Sequence, residues 1–284
     1  MPFWFQYTYA VGIAKLNPLL MVAASSGDDH GGGYHLPNLV WILHEVGILP
    51  DGAYHWAETW VNIIFAFIVA ILFTIIVTRV YAKRKLIPGP FQNAVEMLVE
   101  GMYNFLYSIL GKEAKKYTPF LGTLFFYILG MNWLGLIPGG HSPTTSLNIT
   151  ASMSIMVFLY VQYTGVRRLS LPGYLHHMAG SPSDVVTWCL VPLMFPLHLI
   201  GELAKPFSLA LRLFGNITGE DTLVAVFVVL GIACLSFINS PVGLPLHLPF
   251  ILLGMLLSTI QALVFTLLST AYILMMLPHE EHAH

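Results

Sequence analysis

The sequence predicts an all-α integral membrane protein: about five membrane helices, one amphipathic surface helix, and a last pair of helices that are long and strongly tilted. Three observations carry that expectation. Charged residues make up 9% of the 284 positions, 12 basic and 14 acidic, where a soluble domain carries about a quarter. The mean hydropathy is +0.74. The apolar residues gather into runs of about twenty, the number that spans ~30 Å of hydrocarbon at 1.5 Å per residue. This excludes an ordinary soluble enzyme, a disordered chain and a nucleic-acid binder with a basic face.

Residues 1–55 form a mixed segment that holds Asp28, Asp29, Glu45 and Asp51. Its apolar run Leu16–Ala24 follows Lys15 and reads as a weak signal peptide over 1–24, or as part of the mature chain. Gly31–Gly33 reads as a loop, since no Lys or Ser/Thr follows to make a phosphate cradle. A membrane domain is expected over 56–277 and a short cytoplasmic tail over 278–284.

The first span is Thr59–Thr78, uncharged and closed by Arg79, Lys83, Arg84 and Lys85. Basic residues mark cytoplasmic loops, so the N-terminal segment is expected outside. After the Pro88-Gly-Pro break, Phe91, Val95, Leu98, Met102, Phe105 and Ile109 recur at helical spacing. Residues 91–111 therefore read as an amphipathic surface helix, ending before Lys112, Lys115 and Lys116. Thr118–Ile137 is the second span. Leu147–Val166 is the third, and Arg167-Arg168 closes it on the cytoplasmic side. Cys189 and Cys234 lie in apolar stretches and read as buried spacers, with a bridge between them left open.

The last third departs from this pattern. A helix over 197–237 is about 60 Å long, twice the hydrocarbon thickness, so it either breaks into two crossings or lies strongly tilted. Phe250–Leu277 is an uncharged segment that is also over-long. Two such neighbours predict a tilted hairpin against a curved partner.

Charges inside membrane segments are costly and functional by default. With Arg212 at zero on a helical wheel, Lys205 falls at about 20°, Asn216 at about 40°, Ser208 at about −40°, and Glu202 and Glu220 at about 80°. The six form one polar stripe about 27 Å long. It reads either as an ion-handling face or as a salt-bridge ladder gluing helices. A ladder favours opposite charges at i,i+4, yet Arg212 has Ser208 and Asn216 there. A guanidinium at membrane depth does not lose its proton and must meet an anion elsewhere. On the final helix Gly254, Ser258, Gln261, Phe265 and Ser269 share one stripe. Gln261 is its strongest polar group and a hydrogen-bond candidate for Arg212. Gly254, Ser258 and Ser269 also suit plain helix packing in lipid.

The run KPFSLALRLFGNITGE from Lys205 to Glu220 resembles the signature of the subunit a family of F-type ATP synthases. Met131-Asn132, Asn148-Ile149-Thr150 and Ile260-Gln261-Ala262 agree with that resemblance, which covers about residues 56–277. The resemblance implies a non-catalytic stator subunit with two aqueous half-channels, in an energy-transducing bacterial plasma membrane, and no cofactor or metal. It implies a ring of c subunits, the b subunits of the peripheral stalk and lipid as partners, and no nucleic acid. Arg212 matches the family's essential arginine facing the ring carboxylate. Glu220, Asn216, Asn132 and Asn148 are expected in the outer path, and Glu202 with Lys205 and His198 in the inner one. Gln261 and Ser208 join the lining. Some members carry an acid where Gly135 stands and a histidine where Gly254 stands, so the outer path here leans on other residues. The coupling ion, H⁺ or Na⁺, is set by a carboxylate on another chain.

Two other classes stand beside this reading. A redox-complex membrane subunit needs paired histidines in spans, for which His198 and His247 are the candidates. Another membrane ion transporter commonly shows internal repeats, and no convincing halves are seen.

Overall fold

The computed structural model describes residues 39–45, 50–82, 84, 88–137, 139–179, 185–236 and 245–277. The signal-peptide reading of 1–24, the loop at Gly31–Gly33 and the tail over 278–284 lie outside the described residues, as does the side chain of Cys189.

Every regular element described is helical. Helix α1 is Leu39–Glu45, α2 is Asp51–Thr59 and α3 is Val61–Ala82. Helix α4 is Pro90–Leu110, with proline in the first turn, where its missing N–H costs nothing. A 3₁₀ turn, Gly111–Glu113, leads into α5, Ala114–Leu136. A second 3₁₀ turn, Pro143–Thr145, precedes α6, Leu147–Met178. Helix α7 is Val185–Ser236 and α8 is Leu248–Met275.

Four segments are long and apolar enough to cross a membrane: Val61–Ala82, Pro90–Leu136, Leu147–Ser170 and Leu248–Met275. The second of these runs through both α4 and α5. The 52-residue α7 stands apart. It is continuous through Pro192, Pro196 and Pro206 and begins at Val185, twelve residues earlier than the 197–237 segment read from the sequence. Prolines do not break it, because inside a membrane protein neighbouring groups re-satisfy the freed carbonyls. At 1.5 Å per residue its 52 residues amount to about 78 Å of helix.

The chain falls into two compact units. The first takes the chain up to Ile68, Leu129–Thr145 and Gly215–Ile260. Its core holds Phe65, Met131, Ile217 and Val224. Phe227 stacks on Phe250 with ring centroids 3.7 Å apart. The His141 imidazole meets the Asn62 side chain at 2.7 Å. Cys234 is exposed and free, which corrects the buried position expected for it. Its apolar neighbours in sequence face lipid as readily as a core.

The second unit takes Val69–Ile128, Ser146–Phe214 and the chain from Gln261 on. Leu106, Tyr117, Leu121, Val157, Leu209 and Phe265 are buried in it. Phe120 stacks on Tyr160 at 4.0 Å, and Arg168 pairs with Glu113.

Helix α4 is amphipathic as expected, but its buried row is Met102, Leu106 and Leu110. Phe91 and Leu98 are exposed instead. The rows at i,i+4 and i,i+7 lie side by side on a helix, so periodicity alone did not choose between them. Leu106→Ala is expected to cost about 2–5 kcal/mol through the cavity it leaves. Leu98→Ala is expected to cost under about 0.5 kcal/mol. Unfolding of the two variants in detergent, followed by circular dichroism, checks the register.

Candidate functional site

Helix α7 carries the stripe, and exposure sorts its members by wheel angle. Ser208, Arg212 and Asn216, between about −40° and 40°, are exposed. Glu202 is half-buried and Glu220 is buried, both at about 80°. Lys205 departs from this order: it is half-buried because its ammonium bends to Glu202. Two ion pairs appear among the described residues, Arg168–Glu113 and Lys205–Glu202, and Arg212 enters neither.

In the first unit, Glu220 ends a buried polar chain. Ser258 Oγ sits 3.0 and 3.2 Å from the two carboxylate oxygens of Glu220 and donates to them. Asn132 Nδ2 donates to the Ser258 carbonyl at 3.4 Å. Thr144 Oγ1 donates to Asn132 Oδ1 at 2.8 Å. The Ser142 and Thr144 hydroxyls meet at 2.7 Å. All five side chains are buried, so the chain is a polar thread from the 3₁₀ turn before α6 to the carboxylate. Buried polar groups persist only when bonded, and this thread satisfies its members one by one. Asp221, beside Glu220, is partly buried.

Two glycines shape this unit. A Cβ on Gly254 would strike the Glu220 carboxyl, 2.9 Å from its Cδ. Glu220 therefore fills the space a side chain at 254 would need. A Cβ on Gly135 would lie 2.6 Å from the Cβ of Ser142. That contact leaves no room for an acid at Gly135. Just before α8, burial holds the half-buried His247 imidazole below its ordinary value of 6.5, so it is neutral at pH 7.

In the second unit, Glu202 is the hub. Lys205 Nζ donates to Glu202 Oε1, and Gln162 Nε2 donates to Glu202 Oε2 at 3.2 Å. The ammonium also lies 5.2 Å from the Tyr272 ring centre and 4.0 Å from Met275 Sδ. Pro206 has no N–H, so the Glu202 carbonyl loses its partner one turn on. A cavity of about 10 Å³, lined by Glu202, Lys205, Ser154 and Tyr272 among others, borders the pair. That is about the size of one water.

The stripe read on the last helix is its buried face: Gly254, Ser258, Gln261, Phe265 and Ser269 are all buried. Ser258 binds Glu220, whereas Ser269 Oγ donates to its own Phe265 carbonyl at 2.8 Å and only packs. Asn148 is exposed on the first turn of α6. His198 is exposed, with its Nδ1 3.1 Å from the Met194 carbonyl.

The fold and the site define a multi-pass membrane protein that keeps carboxylates, a lysine and an arginine inside its helices. The chain belongs to the ATP synthase A chain family, whose pattern it matches over residues 60–274. It is 45% identical over 255 residues to ATP synthase subunit a of Protochlamydia amoebophila, covering 87% of this chain and 90% of that one. It is 42% identical over 194 residues to the Moorella thermoacetica subunit a (68% and 80% covered). To the Geobacter sulfurreducens subunit a it is 36% identical over 232 residues (82% and 91% covered).

Ser258→Ala and Thr144→Val each break the buried thread. Either is expected to lower proton flux through the assembled enzyme by about tenfold, the worth of one hydrogen bond to a charged or buried group. Ser269→Ala is expected to leave flux within about twofold of the parent. Fluorescence quenching in sealed vesicles measures all three.

Proposed function

We propose that this chain is the stator subunit of the membrane sector of a rotary ATP synthase, passing protons to and from a partner ring and thereby coupling ion flow to rotation. The observation that carries the reading is the order along α7: a half-buried Glu202, an exposed Arg212 and a buried Glu220. The helix places Glu202 about 15 Å and Glu220 about 12 Å along the axis from Arg212, in opposite directions.

That order supports two separate half-paths with a fixed positive charge between them. A carboxylate that faces lipid has to be neutral, so it carries a proton. Opposite Arg212 the guanidinium favours its ionised form, and the proton leaves. The same charge repels a proton that would run straight from one half-path to the other. Glu220, Ser258, Asn132 and Thr144 serve the outer half-path, with Asn216 beside them in sequence. Glu202, Lys205 and Gln162 serve the inner one. Ser208 and Asn216 flank Arg212 in sequence on the exposed face that meets the ring, and Gln261 lies on the buried face of α8. The family places the chain among the subunits of the membrane sector. The ring of c subunits and the b subunits of the stalk are its proposed neighbours.

Helix α7, at about 78 Å, fits a ~30 Å hydrocarbon layer only when strongly inclined, with part of its length outside. The basic groups Arg79, Lys112, Lys115, Lys116, Arg167 and Arg168 set the cytoplasmic side. Their distribution supports an N-terminus outside and a C-terminus in the cytoplasm. In a cysteine-free background, Lys112→Cys is expected to react with an impermeant maleimide only from the cytoplasmic face, and Trp60→Cys only from the other.

Arg212→Ala in the assembled enzyme is expected to reduce ATP-driven proton pumping by about 100-fold or more, since an unpartnered carboxylate costs several kcal/mol. Near-normal coupled pumping would overturn the role. Glu220→Gln keeps the shape and removes the titratable proton, and a loss of about tenfold or more is expected. Unchanged pumping would remove it from the path.

A further inference from the structure

Helix α6 does not simply end after its span. Ser170 takes φ 62° and ψ 158°, a region that residues with a Cβ avoid and that persists only where surrounding contacts hold it. Past this break the helical segment resumes through Pro172 and turns Tyr174 back along the span. The Tyr174 ring lies on Gly165: a Cβ there would sit 3.2 Å from ring atoms Cδ2 and Cε2. In that place Tyr174 Oη donates to Gln162 Oε1, and the amide at the other end of Gln162 donates to Glu202.

An amide has one accepting and one donating end. Once Tyr174 supplies a proton to the oxygen, the nitrogen must face the Glu202 carboxylate. We propose that Tyr174 is a positioning residue for Glu202: its hydroxyl locks the Gln162 amide with the NH₂ group toward the carboxylate, and the break at Ser170 exists to deliver that hydroxyl. Burial, and after it the charge of Glu202, raise the Tyr174 phenol above its ordinary value of 10, so it stays protonated and remains a donor across the working pH range. Among the described residues, the titratable and charged groups around Glu202 are Lys205 on its own helix, Tyr174 on α6 and Tyr272 on α8. Of these, the phenol of Tyr174 alone acts through an amide that can turn.

The inference rests on the reading of Glu202 as the inner-path carboxylate. Tyr174→Phe keeps the ring on Gly165 and removes the hydroxyl. The Gln162 amide is then free to turn its oxygen toward Glu202, which favours a proton on that carboxyl. The test is ATP-driven pumping by the complete enzyme in inverted vesicles, as a function of the pH on the cytoplasmic side. The profile of Tyr174→Phe is expected to move toward higher pH by about one unit, with the amount of enzyme in the membrane unchanged. Gly165→Ala, which crowds the ring away, is expected to give the same shift. In a Gln162→Leu background, adding Tyr174→Phe is expected to produce no further shift. A wild-type profile in Tyr174→Phe overturns the inference, while loss of pumping in Glu202→Gln still upholds the inner path. Normal pumping in Glu202→Gln overturns both.

Discussion

A charge in hydrocarbon has to be paired, bonded or met by another molecule, and this fold is arranged around that cost. Along α7 each ionised group has a different remedy. Glu202 takes an ammonium and an amide. Glu220 takes a serine hydroxyl at the end of a buried thread. Arg212 joins neither described ion pair and lies on the exposed face. A guanidinium cannot shed its charge, so the proposed function assigns it a partner: the carboxylate of a neighbouring ring.

Much of this was legible in the sequence, because it follows from one-dimensional periodicity. The 100° step of a helix put Glu202 and Glu220 together at one edge of the stripe, with Arg212, Ser208 and Asn216 at smaller wheel angles. The structure buries Glu220, half-buries Glu202 and exposes the other three. The stripe on α8 was likewise its buried face. Spans, basic clusters and the over-length of α7 are all readable from composition along a line.

What was not legible depends on contacts between distant segments. Ser142 and Thr144 look like loop residues until Asn132, on another element, takes a hydrogen from Thr144. Tyr174 lies beyond a basic doublet and a proline, where no periodic signal points back to Gln162. The backbone break that turns it sits at a serine, whereas glycine is the residue that advertises such a conformation.

The glycines at 135 and 254 tie these points together. In isolation each is a small residue where the family resemblance raised the expectation of a polar side chain. In the structure neither position is empty. The Glu220 carboxyl occupies the space beside Gly254, and Ser142 closes on Gly135. An ion path needs polar atoms at certain points in space, and the chain is indifferent to which backbone position supplies them. Here α7 delivers a carboxylate into the space beside Gly254 on α8, and the Cβ and backbone of Ser142 close on Gly135 of α5 while the Ser142 hydroxyl joins the thread through Thr144. A side chain added at 254 competes with the Glu220 carboxyl, and one added at 135 displaces the residue that starts the thread.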